Sequence, residues 1–145
     1  MYAQKIDLST NHSDIITPIP GSCFNSRLDA LAKMGCATSN SSLSKSPLVK
    51  ICKIMQNGSK QQIATALFIN QSSSGIFLLS SYEGYILEQK DAADVTGDEF
   101  PFMYVFKSDD SSPHKYCFKG IFELTANFND INAILWKIKN LKQAP

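Results

Sequence analysis

The twenty residues from Ile63 to Tyr82 carry no charged side chain. A block of that kind belongs in the middle of a core, where an unpaired charge is least tolerated. Its pattern is that of strands. Ile63, Thr65, Leu67 and Ile69 alternate with their neighbours, Gln71-Ser-Ser-Ser-Gly75 breaks the chain, and Ile76 to Leu79 is continuously apolar. The spacing predicts a β-hairpin with largely buried strands.

Charge is distributed unevenly around this block. Residues 1–62 hold seven basic and three acidic groups, residues 83–99 one basic and six acidic, and residues 100–145 six basic and four acidic. The acidic stretch from Glu83 to Glu99 contains Gly84 and Gly97 and reads as a solvated connection. With 145 residues, 43% of them hydrophobic, the chain is long enough for one core and too apolar for a disordered segment. No run approaches the ~18 apolar residues of a transmembrane helix. A single domain over 1–145 is expected, with 1–20 extended or loosely ordered and 38–46 and 89–99 as loops. No membrane contact is expected. The polar start Met1–Thr10 lacks a hydrophobic stretch of the secretory kind, so an intracellular, cytoplasmic location is expected.

Helices are predicted on either side of the strand region. Phe24, Leu28 and Leu31 have helical spacing from about Phe24 to Met34, with Ser22 or Ser26 as cap and Gly35 as stop. Pro47 suits the first position of a second helix, in which Leu48, Ile51, Cys52 and Met55 share a face and Asn57-Gly58 ends the run. Ile131, Ile134, Leu135, Ile138 and Leu141 form an amphipathic stripe for a third helix over about 130–142. Between them, Tyr85-Ile86-Leu87 reads as a short strand, and Phe102–Phe106 with Lys115–Leu124 as a second hairpin. In the latter strand Tyr116, Phe118, Phe122 and Leu124 are expected on one face, with Gly120 marking a bulge or a close backbone approach. The fold class expected is α+β: a curved antiparallel sheet or small open barrel of four to five strands, two N-terminal helices and one C-terminal amphipathic helix.

Chemistry-bearing motifs are few. No phosphate-binding glycine loop occurs, and His12 and His114, the two histidines, lie in no metal-ligand spacing, so neither cofactor nor metal is expected. The acidic pairs Asp98-Glu99 and Asp109-Asp110 stand among turn residues and read as solvated charges. Cys23, Cys36, Cys52 and Cys117 form no Cys-x-x-Cys pair and read as buried free thiols.

Cys23 also precedes the first predicted helix, where the helix dipole favours thiolate. Cys23, His114 and Asn129 follow the chain order of papain-like cysteine hydrolases, with His114 as base and Asn129 as orienter. Gly21-Ser22-Cys23-Phe24 resembles the cysteine motif of ovarian-tumour-type deubiquitinases, but Ile19 and Pro20 stand where that family has an Asp, and Lys115 follows the histidine.

A different likeness lies further on. Phe102-Met-Tyr-Val-Phe106, a polar turn, and Lys115-Tyr-Cys-Phe-Lys-Gly-Ile-Phe-Glu-Leu124 resemble a strand pair of small β-barrel reader domains of the PUA/SRA-like kind that accompany restriction nucleases. Such domains bind DNA or RNA and recognise modified or flipped-out bases with aromatic side chains. The likeness covers the 23 residues 102–124. It implies Tyr104 and Tyr116 as base-stacking residues, while Lys107, Lys115 and Lys119 on or beside the hairpin are candidate phosphate contacts.

The scarcity of catalytic residue types places a non-catalytic binding module ahead of an enzyme, with nucleic acid as partner. The cysteine hydrolase is the first alternative. A protein-interaction module is the second, anchored by Trp136 exposed on the C-terminal helix.

Overall fold

The computed structural model describes residues 4–10, 13–38, 47–70, 73–74, 77–80, 84–90, 100–109, 112–128 and 130–139. Ten strands and one helix occur among them. The strands are β1 (Gln4–Asp7), β2 (Cys23–Phe24), β3 (Leu48–Ile54), β4 (Lys60–Ile69), β5 (Ser73–Ser74), β6 (Phe77–Leu79), β7 (Tyr85–Gln89), β8 (Phe102–Asp109), β9 (Ser112–Phe128) and β10 (Ala133–Ile138); the helix α1 spans Arg27–Lys33. All ten belong to one mixed sheet in the order β1-β3-β4-β8-β9-β10-β7-β6-β5, with β2 paired to β9 off this path. The α+β expectation with three helices and four to five strands is therefore overturned: the chain is mostly β.

The first predicted helix forms, shortened to seven residues. The Ser26 hydroxyl accepts from the Asp29 N–H at 3.0 Å, Asp29 accepts from the Asn25 N–H at 3.1 Å, and Gly35 (φ 97°) follows the helix end. The second predicted helix is β3. Its helical signature arises because both sides of the strand carry apolar side chains: Val49 and Ile51 enter one core and Leu48 packs against the other, while the register shift between Ile51 and Cys52 places its extra residue, Ile63, on β4. Asn57-Gly58, read as a helix stop, belongs instead to the turn joining β3 to β4, where Gly58 has φ 85° and the Asn57 side-chain oxygen accepts from the Ser59 N–H at 3.0 Å.

The third predicted helix is β10, wedged antiparallel between β9 and β7. Ile134, Trp136 and the partly buried Ile138 face inward at period two, while Leu135 lies on the opposite side of the strand. The register shift between Leu135 and Trp136 places its extra residue, Thr125, on β9 and leaves the alternation of β10 intact. Two pairs, β1–β3 and β4–β8, are parallel, against the antiparallel expectation. Of the uncharged block, Ala64–Ile69, Phe77 and Leu79 are buried while Leu78 is exposed, and β4 pairs with β3 and β8 and not with β6, whose partners are β5 and β7.

The two faces of the sheet carry two cores. On one face Val49, Ile51, Ala64, Ala66, Phe68, Phe106 and Phe118 meet Ala30, Leu31 and Met34 from α1 and its end. On the other, Leu67, Ile69, Phe77, Ile86, Val105, Phe122, Ile134 and Trp136, drawn from six strands, form the second core. Among the described residues the walls of this second core are strands alone.

β9 serves both cores because it contains a bulge. Phe106 pairs with Phe118 and Val105 with Gly120, leaving Lys119 as the extra residue, and Gly120 adopts φ 132°. The extra residue reverses the alternation. Tyr116 and Phe118 belong to the first core and Phe122 and Leu124 to the second, so the four do not share a face as predicted. The bulge itself is where the glycine led one to expect it.

Candidate functional site: a lysine-framed face of the central hairpin

The first half of β9 lies between β8 and the two-residue β2. Cys117 is the register partner of Lys107 on one side and of Cys23 on the other. Alternation places Lys115, Cys117 and Lys119 on one face of β9, so Lys107 and Cys23 complete a cross on that same face. Ile69 of β4, whose side chain enters the second core, is the register partner of Lys107. The cross therefore lies on the second-core side of the sheet, along the row that includes Ile69. Lys107, Lys115, Cys117 and Lys119 are each half-buried and Cys23 is exposed. Register neighbours stand about 5 Å apart and second neighbours along a strand about 7 Å. Lys107 thus lies within about one Debye length of each of the other two at physiological salt, while Lys115 and Lys119, four residues apart on β9, stand about 13 Å from each other.

Cys23 and Cys117 are joined as a disulfide, with Cα atoms 3.9 Å apart. The reading of all four cysteines as buried free thiols thus holds only for Cys36 and Cys52. The hydrolase arrangement needs a free Cys23 thiolate, and here that sulfur is bonded to Cys117. Cys23 also lies in β2 rather than at the first turn of α1. His114 falls on β9, three residues before Cys117, while His12 and Asn129 lie outside the described residues.

The two candidate stacking tyrosines lie on the other face. Tyr104 packs against the first core, its ring 6.2 Å from that of Phe118. Tyr116 is 8% exposed, meets Phe68 edge-on at 5.3 Å, and donates its hydroxyl to the Asn70 side-chain oxygen at 2.8 Å. Burial raises the Tyr116 pKa, and the charge of Arg27 opposes that rise. Arg27 itself lies over the Phe68 ring at 5.7 Å. The sheet thus separates the lysines from the tyrosines: one face holds the cations and the other a packed aromatic cluster.

Trp136 is buried, not exposed on a helix, and its Nε1–H donates to Glu88 Oε1 at 3.0 Å. Glu88 is 4% exposed, and Lys90 Nζ stands 3.6 Å from its other oxygen. This buried carboxylate was missed in a stretch read as solvated acid. The alternation Ile86-x-Glu88 is the signal that could have found it. The Cys23–Cys117 bond had no local signal, because its partners stand 94 residues apart.

Among the described residues no group of three or more His, Cys, Asp or Glu is arranged to hold a metal ion, and no helix is long and apolar enough to cross a membrane. In comparisons with known proteins, no family model matches the chain, and no curated protein matches it.

Proposed function

We propose that this chain is a non-catalytic binding domain whose lysine-framed face engages the phosphate backbone of nucleic acid. The observation that carries this reading is the gathering of Lys107, Lys115 and Lys119 from two strands around Cys117 on one face. Three cations at strand spacing match the scale on which a nucleic-acid backbone presents phosphates. Tyr104 and Tyr116 are engaged in the first core, so the proposal rests on backbone contacts and assigns no base-stacking role to either. It thereby favours sequence-independent binding over recognition of a modified base.

Binding of fluorescent single- and double-stranded DNA and RNA across a salt series tests it. Three phosphate contacts predict a log–log salt slope of about −2 to −3, and Lys115→Glu with Lys119→Glu should abolish binding. No binding at low salt, where attraction is strongest, sinks the proposal. So does binding that the double variant leaves unchanged while its fold is intact.

A further inference from the structure

We infer that the Cys23–Cys117 disulfide is a thiol-exchange site whose reactant is an anionic low-molecular-weight thiol. This inference shares the lysine-framed face with the nucleic-acid reading, adds the disulfide and its exposure, and does not require that nucleic acid bind there.

Access singles out this sulfur pair. Cys36 and Cys52 are buried at 6% and 4% exposure, whereas Cys23 is exposed and Cys117 half-buried. Burial pushes the Cys36 thiol up to about 12, so it stays protonated and unreactive, leaving the disulfide as the accessible sulfur chemistry among these four. The direction of exchange also follows from placement. Attack at the exposed residue Cys23 is favoured over attack at the half-buried Cys117. Cys117, as leaving group, departs between Lys115 and Lys119 and beside Lys107. Cations around a departing thiolate lower its pKa, and a thiol of lower pKa leaves faster. The same three lysines raise the local concentration of an anionic reactant and lower that of a cationic one.

The exchange balances without another co-reactant. The thiolate of the small thiol bonds to Cys23 Sγ, the Cys23–Cys117 bond breaks, and its electron pair leaves on Cys117 as thiolate. A second thiolate then attacks the small-thiol sulfur of the mixed disulfide, releasing the small disulfide and leaving Cys23 as thiolate. Both cysteines take protons from solvent. Two small thiols are oxidised and one protein disulfide is reduced.

The fold lets this bond open locally. β2 is two residues long, and its neighbourhood is tied to β9 by the Gly21 N–H to the Phe118 carbonyl and the Phe118 N–H to the Ser22 carbonyl, each at 2.8 Å. Of its side chains only Phe24 packs on the first core, and only in part. Opening the disulfide therefore frees residues 21–24 while the ladders β8–β9 and β9–β10 remain.

The test uses the full oxidised chain with three probes: glutathione (anionic), 2-mercaptoethanol (neutral) and cysteamine (cationic). Peptide mass mapping follows the adduct, and rates are normalised to the thiolate present. The expected result is a glutathione adduct on Cys23, formed on the order of tenfold faster than the cysteamine adduct at low salt. That preference should shrink at high salt and vanish in the Lys107→Gln, Lys115→Gln, Lys119→Gln variant. Amide exchange should rise at residues 21–24 and stay unchanged in β10. An adduct on Cys117 first, equal rates for the anionic and cationic thiols, or a bond that resists glutathione until the chain unfolds would each overturn the inference. If the lysine variant does not fold, the salt dependence of the three rates in the unaltered chain decides.

Discussion

Replacing Gly120 by Ala tests the feature on which the two-core arrangement depends. Gly120 has φ 132°, a region that L side chains rarely adopt, and holding an Ala there costs about 1–3 kcal/mol. An added Cβ would also meet Ile138 Cδ1 at 3.0 Å and Cγ1 at 3.3 Å. The Ile138 side chain must give by a few tenths of an ångström, a strain of about 1 kcal/mol. Against these, Ala narrows the unfolded ensemble by about 0.4–1 kcal/mol. The net expectation is a loss of about 1–3 kcal/mol, or roughly 3–10 °C in Tm for a domain of this size. Urea unfolding followed by the fluorescence of Trp136, the single tryptophan, measures it. Ile138→Val separates the two contributions, because it deletes the atom nearest the new Cβ. Combined with Gly120→Ala it should recover only the steric part, as a coupling of about 0.5–1 kcal/mol. A loss below about 0.5 kcal/mol for Gly120→Ala would refute the reasoning. It would mean that β9 runs unbroken through residue 120 and that Phe118 and Phe122 share a face.

Two further predictions concern buried groups. Trp136→Phe removes the donor to Glu88 Oε1 and leaves a carboxylate of 4% exposure short of one hydrogen bond; a loss of about 2–3 kcal/mol is expected in urea unfolding followed by circular dichroism, and a change under about 0.5 kcal/mol would show that the bond is not formed. Cys36 titrates at about 12 in the folded chain against 9.0 for an unburied thiol, so above pH 9 the unfolded state gives up a proton that the folded state keeps. Stability should therefore be lost as pH rises from 9 to 12, by up to about 1.4 kcal/mol per pH unit, and the comparison with Cys36→Ala isolates this contribution from lysine deprotonation.

What the sequence shows and what it hides divide along the bulges. The β8–β9 hairpin was legible because strict alternation flanks a polar turn, and its bulge was legible because a glycine marks it. The register shifts opposite Ile51/Cys52 and Leu135/Trp136 place their extra residues, Ile63 and Thr125, on the partner strands β4 and β9, with no glycine to mark them. Leu48, Ile51, Cys52 and Met55, and likewise Ile131, Ile134, Leu135 and Ile138, mimic a helix face because apolar side chains stand on both sides of each strand and spacings of three and four combine residues from opposite sides. Strand pairing on both sides of β10 then overrides any local helical preference. The parallel pairs were hidden for another reason: alternation says which face a residue takes and nothing about its partner strand. The candidate site shows the same split. Lys115, Cys117 and Lys119 share a face by local alternation and could be placed together from sequence. The neighbours Cys23 and Lys107 arrive through register, which only the assembled sheet supplies.

The bulge also explains how the lysine-framed row and the second core come to share one side of the sheet. Before Lys119 the inward side of β9 is given to the first core through Tyr116 and Phe118, so Lys115 and Cys117 must point to the opposite side. On that side the second core draws its β9 residues from Phe122 and Leu124, beyond the bulge. An unbroken alternation would put Phe122 on the side of Phe118, removing a fully buried ring from the second core and crowding the first. One inserted residue therefore lets a single strand supply large side chains to both cores. It also leaves, ahead of the second core, a short row that neither core claims. Lys107, Lys115, Lys119 and the Cys23–Cys117 disulfide occupy that row. Straightening β9 with Phe118 held in the first core would turn Phe122 out of the second core, while Lys115 and Cys117, placed ahead of the bulge, would keep their side.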